Sequence, residues 1–321
     1  MLVFFIRRLM QSVVVVALMS IIVFCGIFMI GNPIDTLISP EATQLEYEET
    51  VRDLGLDKPL HQQYFIFLRN VLRGDFGKSF VFNESAIKVI LTRLPATLEL
   101  ATSALIMAVI LGVPLGLYAG IYPQKLASKT IMNFSVLGFS LPSFWVGLML
   151  IFVFAVKLGW LPASGRGTTT DLFGISVSFL TIDGLRHIFL PALNLGLMQI
   201  AMTIRLVKAD TLENMQLDYV KYAKVKGLHP LRIVCIHVLK NILIPLITVL
   251  GMQYGLLIAF AVVTETIFAW PGMGKLIIDS INILDRPVIV AYLMITVFMF
   301  ITINFIVDIL YSVLDPRIRL K

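Results

Sequence analysis

Hydrophobic residues run along this chain in long unbroken stretches instead of alternating with polar ones. A helix needs about 20 consecutive apolar residues to cross the hydrocarbon core of a bilayer. Six stretches reach or approach that length: Leu9–Ile30, Leu100–Tyr122, Thr130–Val156, Ile188–Ile204, Ile242–Thr264 and Pro287–Val307. The fourth is the shortest and has room to lengthen at its ends. Leu172–Ile182 is uncharged but too short to span. It is expected in an extracytoplasmic loop, as a short strand or an interfacial piece.

The first run stays uncharged from Leu9 to Ile34 and follows Arg7 and Arg8. The apolar core of a signal peptide is only about 7–15 residues long. The run is therefore read as a retained first transmembrane helix. A long polar loop follows, roughly Gly31 to Arg93, with acids and bases in similar numbers. Within it, Glu41–Leu54 has helical composition, and Gly55 and Pro59 break it. His61–Leu72 carries Tyr64, Phe65, Phe67, Leu68, Val71 and Leu72. That pattern predicts an amphipathic helix lying along the membrane surface.

Composition narrows the class. Of 321 residues, 58% are hydrophobic and 14% charged, against about 25% charged in a soluble domain. The mean hydropathy of +0.90 agrees. The net charge of +6 is explained by bases held on the cytoplasmic side, and no basic patch interleaved with aromatics suggests nucleic acid. Arg7 and Arg8, Lys125 and Lys129, a cluster from Arg205 to Lys240, and Arg317, Arg319 and Lys321 fall on one side of six spans. Both termini are then expected in the cytoplasm. Cys25 and Cys235 suggest no disulfide framework. The four scattered histidines, His61, His187, His229 and His237, show no metal-ligand spacing.

Catalytic signatures are absent. The chain has no G-x-S-x-G elbow, no H-E-x-x-H and no G-x-x-x-x-G-K-[ST] loop. No catalytic, cofactor or metal residue is assigned. Charges inside the spans are also scarce, which argues against an ion-coupled carrier. Glu99 and Asp308 fall at span boundaries and read as interface residues.

The cytoplasmic segment Asp218-Tyr219-Val220-Lys221-Tyr222-Ala223-Lys224-Val225-Lys226-Gly227 differs from an ordinary loop. Asp218 is a good N-cap. Gly227 suits a helix stop, and Pro230 prevents continuation. A helix of little more than two turns fits between them. Tyr219, Tyr222 and Ala223 share one face, and Lys221 and Lys224 another. So short a helix is marginal alone and needs a packing surface. Ala223, the small residue, is where a partner could approach closely. By these residues alone, a basic loop and a docking helix stand level.

A family resemblance separates them. The segment resembles the EAA loop of ABC importer permeases in the dipeptide/oligopeptide (and nickel) transport family, whose form is D-Y-V-x-x-A-x-x-K-G. Asp218, Tyr219, Val220, Ala223, Lys226 and Gly227 match. Tyr222 and Val225 stand where smaller residues are common. The resemblance extends along the chain. It includes Ile6–Leu9, Leu54–Leu60, Gly74-Asp75-Phe76-Gly77-Lys78-Ser79 and Arg93–Leu100. It continues through Ser140-Leu141-Pro142-Ser143-Phe144-Trp145, Gly159–Gly165, and His237, Asn241 and Pro245. Glu265–Gly274, Asp308 and Asp315-Pro316-Arg317 complete it. Gly31-Asn32-Pro33 departs from the family's usual Gly-Asp-Pro.

The resemblance implies an all-α membrane protein with the type I ABC importer fold of six transmembrane helices. Residues 1–30 would form the first helix, 31–95 the large external loop, 96–313 the transmembrane domain and 314–321 a cytoplasmic tail. Asp218–Gly227 would be the ATPase-coupling helix. Pro142, Glu265, Trp270, Pro271 and Gly272 are candidate pathway or gate-supporting residues. Beside that, Pro142 and Pro114 read as helix bends, Trp160 and Trp270 as aromatic-belt residues, and Gly272 and Gly274 as a tight external turn. Implied partners are a second homologous permease, two ATPase subunits that bind ATP and Mg, and an extracytoplasmic substrate-binding protein. Di- or oligopeptides are the expected cargo, with nickel chelates, glutathione or another small solute as alternatives. A secondary carrier and a non-transporting receptor are the readings from other classes.

Overall fold

The structure, a computed structural model, describes residues 2–29, 44–45, 52, 57–172 and 174–314. Gly31-Asn32-Pro33, most of Glu41–Leu54, the start of the Leu54–Leu60 motif and the basic tail with Asp315-Pro316-Arg317 lie outside the described residues. The chain divides into two compact units, Met1–Leu94 with Lys275–Thr302, and Pro95–Gly274 with Ile303–Lys321.

In the first unit, α1 (Leu2–Met29) packs on α2 (Leu60–Leu72). Tyr64 of α2 shares a hydrogen bond of 2.8 Å with Ser20 of α1, and Phe24 rests against Tyr64 and Phe67. Only part of the apolar stripe expected of α2 turns that way, because Phe65 and Leu72 stay exposed. Val23, Val290 and Met294 form a small core with Phe67, Val71 and Phe76. The Gly74–Ser79 motif proves to be a structural hook. Asp75 accepts from the Gly77 amide at 2.9 Å, and the buried Ser79 hydroxyl donates to buried Asp285.

The remaining elements are α3 (Ala86–Ile121), α4 (Leu126–Ser140), α5 (Ser143–Lys157), strands β1 (Thr170–Leu172) and β2 (Ile175–Val177), α6 (Ile182–Asn214), α7 (Asp218–Val225), α8 (Pro230–Ile267), α9 (Met273–Asn282) and α10 (Arg286–Leu314). Among the described residues, five helices are long and apolar enough to span a membrane, α1, α3, α6, α8 and α10. A sixth span is reached only by counting α4 and α5 together. The run expected as one helix, Thr130–Val156, bends by 109° between them. Leu141 precedes a proline, which disfavours helical backbone, and it is extended at φ −83°, ψ 137°. Pro142 also lacks the amide that would continue the ladder.

The fourth span lengthens as expected, from Ile188–Ile204 to Ile182–Asn214. The uncharged stretch near Leu172–Ile182 supplies an antiparallel hairpin in which Thr170 pairs with Val177 and Leu172 with Ile175.

In the second unit, α3 and α6 approach unusually closely. A Cβ on Gly112 would lie 2.7 Å from Thr203 Cβ, one on Gly116 2.7 Å from Val207 Cβ, and one on Gly120 2.5 Å from Thr211 Cβ. Apolar helices gain little from the hydrophobic effect inside lipid, so they associate through close van der Waals packing over small residues. The signal for this contact is local, three glycines at four-residue spacing.

Candidate functional site

The helix α7 is built much as its sequence suggests at one end and differently at the other. Asp218 is the first helical residue and not the N-cap, which falls on Leu217 in extended backbone. The Asp218 carboxylate accepts from Lys221 Nζ at 2.8 Å, and this bond holds its pKa below the usual aspartate value. At the other end, Gly227 adopts φ +73°. Its amide donates to Lys224 O at 3.0 Å, and the Leu228 amide donates to Ala223 O at 3.2 Å. These two bonds form a Schellman ending, which satisfies carbonyls the short helix would otherwise leave open.

Val220 and Ala223 turn inward. They join a buried cluster with Val207 of α6 and Ile233, Val238, Ile242, Leu246 and Leu250 of α8. This corrects the expectation that a partner approaches Ala223, which is only 6% exposed and occupied by the chain's own core. Tyr219 is half-buried as well. Its hydroxyl donates to Asn214 Oδ1 at 2.8 Å and accepts from Asn241 Nδ2 at 3.0 Å. The face left outward carries Lys221, Tyr222, Lys224, Val225 and Lys226. Val225 is 86% exposed, and the Lys226 ammonium lies 4.6 Å from the centre of the Tyr222 ring. Of the other motif residues, His237 is half-buried in a wide-turn stretch at the start of α8, and Pro245 lies inside that helix.

The segment from Glu265 to Gly274 folds back on α3. Glu265, in the last turn of α8, is fully buried and accepts from the Thr97 hydroxyl at 2.6 Å. The same hydroxyl oxygen accepts from the Met273 amide at 2.8 Å. Trp270 Nε1 donates to Ala96 O at 2.8 Å, and the Trp270 amide donates to Glu265 O at 2.8 Å. Ala269 takes φ +47° to make this turn, and Pro271 follows. Any Cβ on Gly272 would run into the Glu265 carboxylate, so glycine is required here by lack of space. One expectation fails here. Trp270 is not an aromatic-belt residue, because it is fully buried among Ala96, Leu100, Ile188 and Ala192. Trp160, by contrast, is exposed.

Glu99 is likewise not an interface residue. It is 7% exposed and pairs with Arg166, whose Nε and Nη2 both reach Oε2. Its other oxygen accepts from the Ser178 amide, the Ser178 hydroxyl and the Phe179 amide at 2.7–2.8 Å. Arg166 Nη2 also donates to Ser176 O at 2.7 Å. A buried carboxylate is tolerated when its partners saturate it. Glu99 thereby ties the β1–β2 hairpin to α3. These buried charges were missed because their partners lie far away in sequence.

Beside the α4–α5 break lies a cleft of about 370 Å³, lined in part by Phe139, Leu141, Asn194, Gln199, Gln253 and Phe260. It is largely apolar with a few amides. Asn194 Nδ2 donates to Thr264 Oγ1 at 3.0 Å, and Gln253 Nε2 donates to Met202 Sδ at 3.0 Å. Among the described residues no cluster of three or more His, Cys, Asp or Glu side chains could hold a metal ion.

Comparison with known proteins covers nearly the whole chain. Residues 112–320 match the family described as binding-protein-dependent transport system inner membrane component, and residues 1–101 match its N-terminal counterpart. The di/tripeptide transport system permease protein DppB of Pseudomonas aeruginosa (strain UCBPP-PA14) is 39% identical over 302 residues, 90% of each chain. The glutathione transport system permease protein GsiC of Escherichia coli (strain K12) is 34% identical over 317 residues, 98% of each. Among solved structures, a chain from the inward facing conformations of the MetNI methionine ABC transporter superposes with a TM-score of 0.54 at 14% identity. It covers 71% of this chain and 96% of that one. That likeness establishes the type I importer fold.

Proposed function

This chain belongs to the family of inner membrane components of binding-protein-dependent transport systems, and we propose that it forms half of a pathway importing di- and oligopeptides. It is a multi-pass inner-membrane ABC importer permease, and its relatives are transport system permease proteins. Energy would come from two partner ATPases that bind ATP and Mg. A second homologous permease would complete the pathway, and an extracytoplasmic binding protein would deliver cargo. The peptide reading is supported by the 39% identity to a di/tripeptide permease over 90% of both chains. Glutathione is the second reading, favoured by the 98% mutual coverage with a glutathione permease.

In this reading α7 docks on an ATPase through Lys221, Tyr222, Lys224, Val225 and Lys226. The observation that carries it is the division of α7 into a buried anchoring face and an exposed basic-aromatic face. Asp218, Tyr219, Val220, Ala223 and Gly227 then act by shaping and anchoring the helix. ATP binding would close the ATPases, move the coupling helices and favour the outward-facing conformer, by differential affinity for the two states. Hydrolysis would reset it. Pro142, Glu265, Trp270, Pro271 and Gly272 support the gate by fixing the α4–α5 break and the turn after α8. The basic segments and both termini are cytoplasmic by the positive-inside rule.

The test is uptake of labelled dipeptide and labelled glutathione in cells expressing the complete transporter, with and without ATP depletion. ATP-dependent dipeptide uptake is expected, and glutathione is expected to compete weakly. Uptake that survives ATP depletion and collapses with the ion gradient would sink the importer mechanism.

A further inference from the structure

The Tyr219 hydroxyl sits where three helices meet. Asn214 closes α6, Tyr219 belongs to the first turn of α7, and Asn241 lies early in α8. Asn214 Nδ2 donates to Asp210 O at 2.8 Å in its own helix, which turns Oδ1 toward Tyr219. The phenol uses its proton on Asn214 and a lone pair on the Asn241 amide. Asn241 Nδ2 also lies 3.4 Å from Asn214 Oδ1, closing the triangle.

We propose that this triangle is a positioning latch that transmits displacement of α7 to α6 and α8 together, with Asn214 and Asn241 as the partners of Tyr219. The proposal rests on α7 being the ATPase-docking helix. The reasoning is mechanical. Val220 and Ala223 hold α7 to the core by apolar contact alone. Such contact is non-directional, so it resists separation but permits sliding and rotation. Hydrogen bonds are directional and weaken steeply with misalignment. A hub that donates to one neighbour and accepts from the other fixes both the height and the rotation of α7. Motion at the exposed face then moves α8 as one body with it, and α8 leads to the turn at Glu265.

The experiment uses the complete transporter reconstituted with its ATPases and binding protein. Substrate imported per ATP hydrolysed is measured for Asn241→Ala and Tyr219→Phe, which keeps the ring and its packing. Loss of an ordinary hydrogen bond predicts a fall of about three- to tenfold in that ratio, with the ATPases still co-purifying. The double variant should fall no further than the worse single one, because both remove the same joint. An unchanged ratio in both singles, fully additive losses, or loss of the ATPases from either single would overturn the latch. Tyr222→Glu and Val225→Glu distinguish the underlying docking reading. If these variants keep ATPases and uptake at parent levels, α7 is not the docking helix, whatever the latch variants do.

Discussion

The Thr97 hydroxyl donates to Glu265 at 2.6 Å while its oxygen receives the Met273 amide at 2.8 Å. One threonine on α3 thus holds both ends of the turn that follows α8. Thr97→Val keeps the volume and removes both bonds. Leaving the buried Met273 amide without Thr97 costs about 1–3 kcal/mol. The assembled transporter in detergent should melt several degrees lower, measured by loss of helical signal on heating. An unchanged melting temperature would mean that these bonds are replaced by water.

Gly272→Ala attacks the same turn by crowding. The added methyl meets the Glu265 carboxylate, which is itself fully buried. Overpacking of this kind typically costs about 1–3 kcal/mol. We expect reduced yield of folded complex and a lower melting temperature. Normal yield and melting would show that the turn relaxes.

Glu99→Ala breaks a buried ion pair and strands Arg166, which should cost about 3–5 kcal/mol. The hairpin should lose its tether at Ser178 and Phe179. Hydrogen exchange of residues 175–180 in the intact complex is the measurement, with faster exchange expected there than in α6. Glu99→Gln should show a smaller effect, because it keeps the shape and one acceptor. Equal protection in the parent and Glu99→Ala would count against the tether.

Substitutions on α7 should separate by face. Tyr222→Glu and Val225→Glu leave the chain's own core untouched and should reduce ATPase co-purification at least tenfold, a loss of about 1.4 kcal/mol. Ala223→Glu instead buries a charge among Val207, Ile242 and Leu246, and should lower the amount of folded permease itself. Quantitative pull-down, normalised to permease recovered, distinguishes the two. Equal behaviour of the inward and outward positions would refute the division into faces.

Gly227→Val tests the helix ending alone. Valine at φ +73° is strained by about 1–2 kcal/mol, and two capping bonds depend on that backbone. Faster exchange of the Leu228 amide is expected, together with reduced uptake. Unaltered exchange would show that another ending serves as well.

Much of this protein was legible in its sequence because a bilayer imposes a one-dimensional rule. A run long and apolar enough to span can be counted, and α1, α3, α6, α8 and α10 follow from that count. The short helix α7 and its stop at Gly227 were legible too, since capping is a local matter. The glycine stripe of α3 carried a local signal as well. What the sequence could not decide was which way each residue faces and what it meets there. Ala223 reads as a docking surface until Val207 and Ile242 occupy it. Trp270 reads as an interface residue until α3, with Ala96 174 residues away in sequence, buries it, and Glu99 until a hairpin near Ser178 does. The 109° break before Pro142 was marked in the chain only as a helix bend. The sequence by itself determined the membrane class, five of the spans and the short helix α7. Only tertiary structure decided the buried charges and the Asn214–Tyr219–Asn241 triangle, because each depends on side chains brought together by helix packing rather than by spacing along the chain.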